Sequence, residues 1–383
     1  MRRVPIDELR TGDRLGRDVR ATPDAMPLLR AGVRLSDSYR QSLKRAGIPS
    51  VWIDDVISEG IEPLEVLEES TKQRATAAVH DALRNVAESL PRGGRLSADV
   101  AHEMNEVAEL IIRDIARNIE SALALNDLAN ADGYTLKHSL AVTTLGLSLG
   151  LRVMRKHGWV DALGKRRFDD VEGRLAPLGV GLLLHDIGKL AVPHEILHKP
   201  GKLNDEEWQA IRAHPMLGVH MLQKASGISP LARAVVRSHH ERWNGTGYPE
   251  GRSGGEIHQF ARIAAAADVF DALTSDRSYR GALPAHEGYD MVIRGAGSDF
   301  DPEVVDIFRS FVAPYPPGTP VVLSDGTCGL VKEVRPGAVT APLVRIITDG
   351  SGALVPPREI DLSKSTELTI VSTKFALPVS TPA

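Results

Sequence analysis

A chain of 383 residues, 42% of them hydrophobic, is long enough to bury a sizeable core and to divide into two or three domains. A net charge of −4 with no long block of lysine and arginine excludes an electrostatic footprint for polymeric nucleic acid, though not a small anionic ligand. No apolar run reaches the roughly 18 residues of a membrane helix, and MRRVPIDELRTGDRLG has no apolar run behind its basic residues, so a cytoplasmic protein is expected.

In chain order, Arg3 to Asp55 alternates short apolar runs with turn residues, around a helical piece at about Ser36 to Ala46. Residues 1–60 are expected as a small α+β domain. Residues 61–130 change to glutamate, alanine, leucine and arginine at helical spacing, broken by a loop at PRGGRLS. They read as a helical connector whose apolar stripe suits internal packing or a homodimer seam equally well. Residues 131–313 read as helix after helix, with Ser229 and Pro230 as N-cap and first helical residue ahead of LARAVVRSHHE. Within them, Arg152 to Ala176 is charged and poorly periodic, and is expected as an insertion or long loop. From Pro314, alternating runs between Asp-Gly and Pro-Gly turns predict a small β-barrel or sheet over residues 314–383. The expected fold class is mainly α, a helical bundle with a small α+β N-terminal domain and a small β-barrel-like C-terminal segment.

One cysteine, Cys328, excludes an intramolecular disulfide framework. With 13 histidines beside it, any bound metal would be held by imidazole and carboxylate, donors suited to Fe, Mn, Ni or Zn. LGVGLLLHDIGKLAVP ends an apolar helix on His185 and Asp186, whose side chains project about 100° apart, so both can reach one ion or Asp186 can bridge two. Lys189 follows about one turn on, where its ammonium can meet a phosphate oxygen; a capped helix end with a charge pair is the plainer alternative. His138 stands at the start of another amphipathic helix, and His214, ahead of Pro215, is set at a helix break. His239 and His240 end the helix that precedes GTGYPEG. Asp268 and Asp271 lie one turn apart on a helix otherwise alanine, valine, isoleucine and phenylalanine, where a carboxylate needs an arginine or a metal as partner.

Taken in order, HDIGK, the isolated HP, HHERWNGTGYP, DVFDALTSDRSYR and the FDP at Phe300 to Pro302 resemble the HD-GYP family, a branch of the HD superfamily of metal-dependent phosphohydrolases. The resemblance runs from about Tyr134 to Val312 and implies an HD-type helical bundle as catalytic domain. By the same resemblance, His138, His185, Asp186 and Asp268 hold one divalent transition metal ion and Asp186, His214, His239 and His240 a second. Iron or manganese is the first expectation, with nickel, zinc or magnesium as alternatives. Lys189 is implied to contact the scissile phosphate, Arg277 and Arg280 to bind a cyclic dinucleotide, and Tyr248 to touch the ligand or support the metal site. Gly245 and Gly247 are expected to supply positive φ in the loop, Pro249 to stiffen it, and Glu241 and Arg242 to hold it as an ion pair. The implied activity is a phosphodiesterase that opens cyclic di-GMP to linear pGpG, with GMP as the product of any second cleavage. Some members bind a third metal through a glutamate four residues before the first histidine ligand; Tyr134 stands there, so a two-metal site that favours stopping at pGpG is expected. Two other readings use the same residues: a non-catalytic cyclic-dinucleotide receptor, and a phosphodiesterase for another cyclic dinucleotide.

Overall fold

The computed structural model describes residues 1–20, 26–48, 50–124, 134–161, 163–199, 201–223, 225–275 and 282–373. In chain order its elements are β1 (Arg2–Pro5), α1 (Asp37–Arg45), β2 (Ser50–Ile53), α2 (Glu69–Ser89), α3 (Ala98–Arg117), α4 (Tyr134–His157), β3 (Trp159–Val160) and β4 (Arg166–Arg167). There follow α5 (Ala176–Leu183), α6 (His194–Leu197), α7 (Asp205–Arg212), α8 (His214–Leu222), α9 (Pro230–Ser238), α10 (Gln259–Thr274), α11 (Ala285–Arg294) and α12 (Pro302–Phe311). The chain ends in β5 (Pro320–Leu323), β6 (Cys328–Glu333), β7 (Leu343–Thr348), β8 (Leu354–Asp361) and β9 (Ile370–Ser372). Two compact units result, one of Met1–Glu65, Glu120–Asp132 and Ser310–Ala383, the other of Val66–Ile119 and Gly133–Arg309.

The larger unit is helical and is built around α4. That helix is buried from Leu140 to Val142 and again at Leu145, Leu147, Leu149 and Leu151, nearly all round, as expected of a helix at the centre of a bundle. It packs on α5 and α10, while α9 packs on α5, α8 and α10. The helices expected as a connector, α2 and α3, belong to this same unit. Their apolar stripes, Ala75, Ala78, Val79, Ala82 and Val86 on one and Met104, Val107, Ala108, Ile111 and Ile115 on the other, are buried within it. Internal packing therefore accounts for the stripe that a dimer seam would also have explained. The expected loop from Arg152 is shorter than its charge suggested: α4 continues to His157 because Val153 and Met154 are buried. A two-stranded hairpin follows, pairing Trp159 with Arg167 and Val160 with Arg166.

The smaller unit takes residues from both ends of the chain. β1 pairs antiparallel with β2, Val4 opposite Val51, and a core of Val4, Ile6, Leu15, Leu35, Leu43 and Ile53 closes beneath them. Ser36 caps α1 by accepting from the Tyr39 backbone N–H, the usual service of an N-cap serine. β5 to β9 form one antiparallel sheet in the order β8-β7-β6-β5-β9, with Val321, Leu323, Val331, Val344 and Ile346 facing its core.

Candidate metal centre

The ends of four helices and the middle of a fifth converge on one point of the helical unit. His138 sits in the second turn of α4, His185 and Asp186 follow α5, and His214 is the first residue of α8. His239 and His240 follow the last residue of α9, and Asp268 lies within α10. All but His240 are buried, and His240 is nearly so. Local sequence explains the placement. Ser229 caps α9 and Pro230 opens it, which fixes where the helix that leads to His239 and His240 begins. Pro215 interrupts the run between α7 and α8, leaving His214 at the break.

Gly188 brings two of these segments together. A Cβ on it would fall 1.9 Å from the His214 carbonyl oxygen and 2.5 Å from the Gly218 nitrogen. Only glycine lets the turn after Asp186 lie directly against α8.

Asp186 faces histidines on both sides. Its Oδ2 is 3.6 Å from His138 Nε2 and 3.5 Å from His185 Nε2; its Oδ1 is 3.3 Å from His214 Nε2 and 3.9 Å from His239 Nε2. Asp268 Oδ1 lies 3.2 Å from His138 Nε2, and Oδ2 lies 3.7 Å from His240 Nδ1. Two groups of donors share Asp186, one with His138 and His185 and the other with His214, His239 and His240, the donor atoms of each group lying within 4.8 Å of one another.

The hydrogen bonds on the far side of the rings decide what this point can hold. His185 Nδ1 donates to the Leu182 carbonyl at 2.7 Å, His214 Nδ1 to Ile211 at 2.7 Å, and His239 Nδ1 to Val236 at 2.9 Å. A carbonyl only accepts, so in the neutral ring each Nε2 carries a lone pair. His214 and His239 then point two acceptors at each other across 3.3 Å, beside an Asp186 Oδ1 that is buried and, among the described residues, has no hydrogen-bond donor. Three acceptors around one place, with no donor, fit a cation. Burial keeps His185, His214 and His239 below the ordinary imidazole range and takes His240 down to about 3, so these rings offer lone pairs at neutral pH. Burial also opposes charge on His138, but its hydrogen bonds to Asp268 and Asp271 prevail and raise it to about 9. Burial pushes Asp186 and Asp268 upward; Lys189 and the histidines around Asp186, and His138 beside Asp268, hold both well below the usual carboxylate range. The donor set, imidazoles and carboxylates oriented from behind by backbone carbonyls, is that of a divalent-metal site.

Around the centre, Lys189 is ion-paired with Asp186 Oδ2. The Tyr248 ring stacks on His240 at 4.7 Å between centroids, inside a loop whose Tyr248–Pro249 peptide is cis. Gly245 has the positive φ expected of it, +82°, but Gly247 does not; a Cβ there would meet the Arg242 nitrogen at 2.4 Å, so close approach is the reason for that glycine. The expected Glu241–Arg242 ion pair does not form. Glu241, buried, accepts instead from the backbone N–H of Glu250 at 2.8 Å and Arg252 at 3.1 Å, because those amides would otherwise lie beneath the loop unpaired. Arg242 turns toward Asp299, at 3.9 Å. Asp271 is a residue whose part the sequence did not disclose: its Oδ2 accepts from His138 Nδ1 at 2.7 Å and so orients a ring of the centre. Its spacing one turn after Asp268 was the available signal. Arg277 and Arg280 lie outside the described residues, as does the side chain of Tyr134.

Residues 153–304 match the family model described as HD domain, and residues 320–374 match one described as KOW domain associated with HD domain. The chain is 32% identical over 394 aligned residues to the cyclic di-GMP phosphodiesterase PA4108 of Pseudomonas aeruginosa, covering 95% of this chain and 90% of that protein. It is 46% identical over 121 residues to a 3'3'-cGAMP-specific phosphodiesterase of Vibrio cholerae, covering 32% of this chain and 26% of that one. The solved structure of Bd1817, an HDG"Y"P protein from Bdellovibrio bacteriovorus, aligns with a TM-score of 0.49 at 17% identity, covering 80% of this chain and 99% of that one. Among the described residues no helix is long and apolar enough to cross a membrane.

Proposed function

The chain belongs to the HD-GYP family, and from that premise we propose that its histidine–aspartate centre hydrolyses cyclic di-GMP to linear pGpG in the cytoplasm. The observation that carries the reading is the set of inward imidazole lone pairs of His185, His214 and His239, arranged on both sides of Asp186. His138, His185, Asp186 and Asp268 would hold one ion and Asp186, His214, His239 and His240 the other, with iron or manganese the preferred occupants. Bound there, a pair of divalent ions supplies Lewis acidity to the phosphoryl group and a nucleophile from water at neutral pH.

The protein's own groups do the rest. Asp186 offers one oxygen to each set of histidines and remains ionised in spite of burial. Lys189, held by Asp186 at the rim, places an ammonium where a diester phosphate entering the centre meets it. Tyr248 stays protonated, because burial raises its phenol, and offers an O–H donor and a ring face beside His240. Arg277 and Arg280 are proposed as further contacts to the cyclic dinucleotide. The completeness of the donor set favours a hydrolase over a receptor. Tyr134 in place of a glutamate leaves no carboxylate at the position used for a third ion, which favours pGpG as end product.

A second substrate, 3'3'-cGAMP, is favoured by one observation, the 46% identity to a phosphodiesterase named for it. The test is a chromatogram of products after anaerobically purified protein, loaded with iron or manganese, is incubated with each cyclic dinucleotide separately. Linear pGpG accumulating from cyclic di-GMP at the higher kcat/KM is the expected result. Preferential cleavage of 3'3'-cGAMP transfers the assignment to that substrate, and cleavage of neither overturns the hydrolase.

A further inference from the structure

Arg212 is the last residue of α7, two positions before His214, and its exposed guanidinium lies over the Tyr248 ring, 5.3 Å from the centroid. Tyr248 in turn stacks on His240, so this cation stands one aromatic ring away from the centre. It differs from the other arginines around the loop. Arg237 and Arg252 share Glu250, Arg242 faces Asp299, and Arg262 pairs with the buried Asp301. Among the described residues Arg212 has no carboxylate within ion-pair distance and donates no hydrogen bond. A planar guanidinium that rests on an aromatic face is pre-organised, and its edge keeps several N–H donors free for an oxyanion.

We propose that Arg212 binds the second phosphate of the cyclic dinucleotide, the one not undergoing cleavage, and so selects a ligand with two phosphodiesters over one with a single phosphodiester. This rests on the phosphodiesterase reading above. The substrate carries two phosphodiester charges. One meets the Asp186 centre and Lys189; the other needs a cation at a distance from it, and Arg212 offers one on a rigid support.

The experiment compares two substrates on the metal-loaded protein: cyclic di-GMP, and bis(p-nitrophenyl) phosphate, a diester with a single phosphate. Arg212→Gln is expected to lower the ratio of kcat/KM for cyclic di-GMP to that for bis(p-nitrophenyl) phosphate about 10-fold, mainly through KM. Arg212→Lys, which keeps the charge, should recover part of that ratio, and the salt dependence of KM for cyclic di-GMP should be weaker in Arg212→Gln than in the parent. An unchanged ratio overturns the proposal, as does an equal loss on both substrates, which would place the effect in the support of His240 through Tyr248. No recovery in Arg212→Lys, with an unaltered salt dependence, would mean that the guanidinium stacks on a base instead. If the parent cleaves bis(p-nitrophenyl) phosphate but leaves cyclic di-GMP intact, the substrate assignment itself has failed, and the role of Arg212 falls with it.

Discussion

At the scale of single residues, Asp186 faces both sets of histidines, Oδ2 toward His138 and His185 and Oδ1 toward His214 and His239. Asp186→Asn keeps the shape but removes the charge, and is expected to abolish turnover and reduce bound metal, measured by elemental analysis of the purified protein; full activity would refute the shared-carboxylate arrangement. Lys189→Ala leaves the donors in place, so it should retain metal while kcat falls on the order of 10²–10³-fold, the range for losing one charge-stabilising contact. Asp271 acts through His138. Asp271→Asn is expected to weaken metal binding about 10–100-fold in competition with a chelating dye, and unaltered affinity would show that the His138 ring needs no such support. The sequence disclosed the inward donors because histidine and aspartate at helix ends are uncommon enough to stand out. It did not disclose their outer partners, since Leu182, Ile211 and Val236 act through backbone carbonyls, which carry no side-chain signature.

At the scale of elements, the centre depends on backbones that touch. Gly188→Ala would set a methyl 1.9 Å from the His214 carbonyl oxygen, and is expected to destabilise the protein by about 3 kcal/mol in denaturant melts and to lower its metal content. Gly255→Ala, whose added methyl meets nothing within 4 Å, should stay within about 0.5 kcal/mol of the parent. Equal stability of the two variants would contradict the close-approach account. Helix positions were largely legible from periodicity and caps, as Ser36, Ser229 and Pro230 show. The run from Arg152 was less so, because surface charge on the last turns of α4 masks the two apolar residues that hold it, Val153 and Met154. Glu241 and Arg242 looked like an ion pair because they are adjacent and opposite in charge; the unpaired amides of Glu250 and Arg252 lie about ten residues away, and only the folded loop brings them to Glu241.

At the scale of the molecule, a linear scan divides the chain at changes of pattern, whereas the smaller unit joins the two ends. Ile61 packs with Leu330 and Ile347, and Arg345 Nη1 donates to the carbonyls of Ile57 and Glu59. Contacts so far apart in sequence have no local signature. A chain cut after Val312 would uncover Ile61 and Ala122, and is expected to aggregate on size-exclusion chromatography; a monodisperse product would show that the N-terminal residues do not need the sheet. The family resemblance and the fold agree at this scale, since the motifs from HDIGK to GYP fall on helix ends that meet. What tests the whole account most directly is cyclic di-GMP hydrolysis by chelator-stripped protein titrated with manganese under anaerobic conditions. The account predicts no turnover without metal and full turnover at two equivalents per chain. Undiminished hydrolysis by the stripped protein, or saturation at a single equivalent, would contradict it.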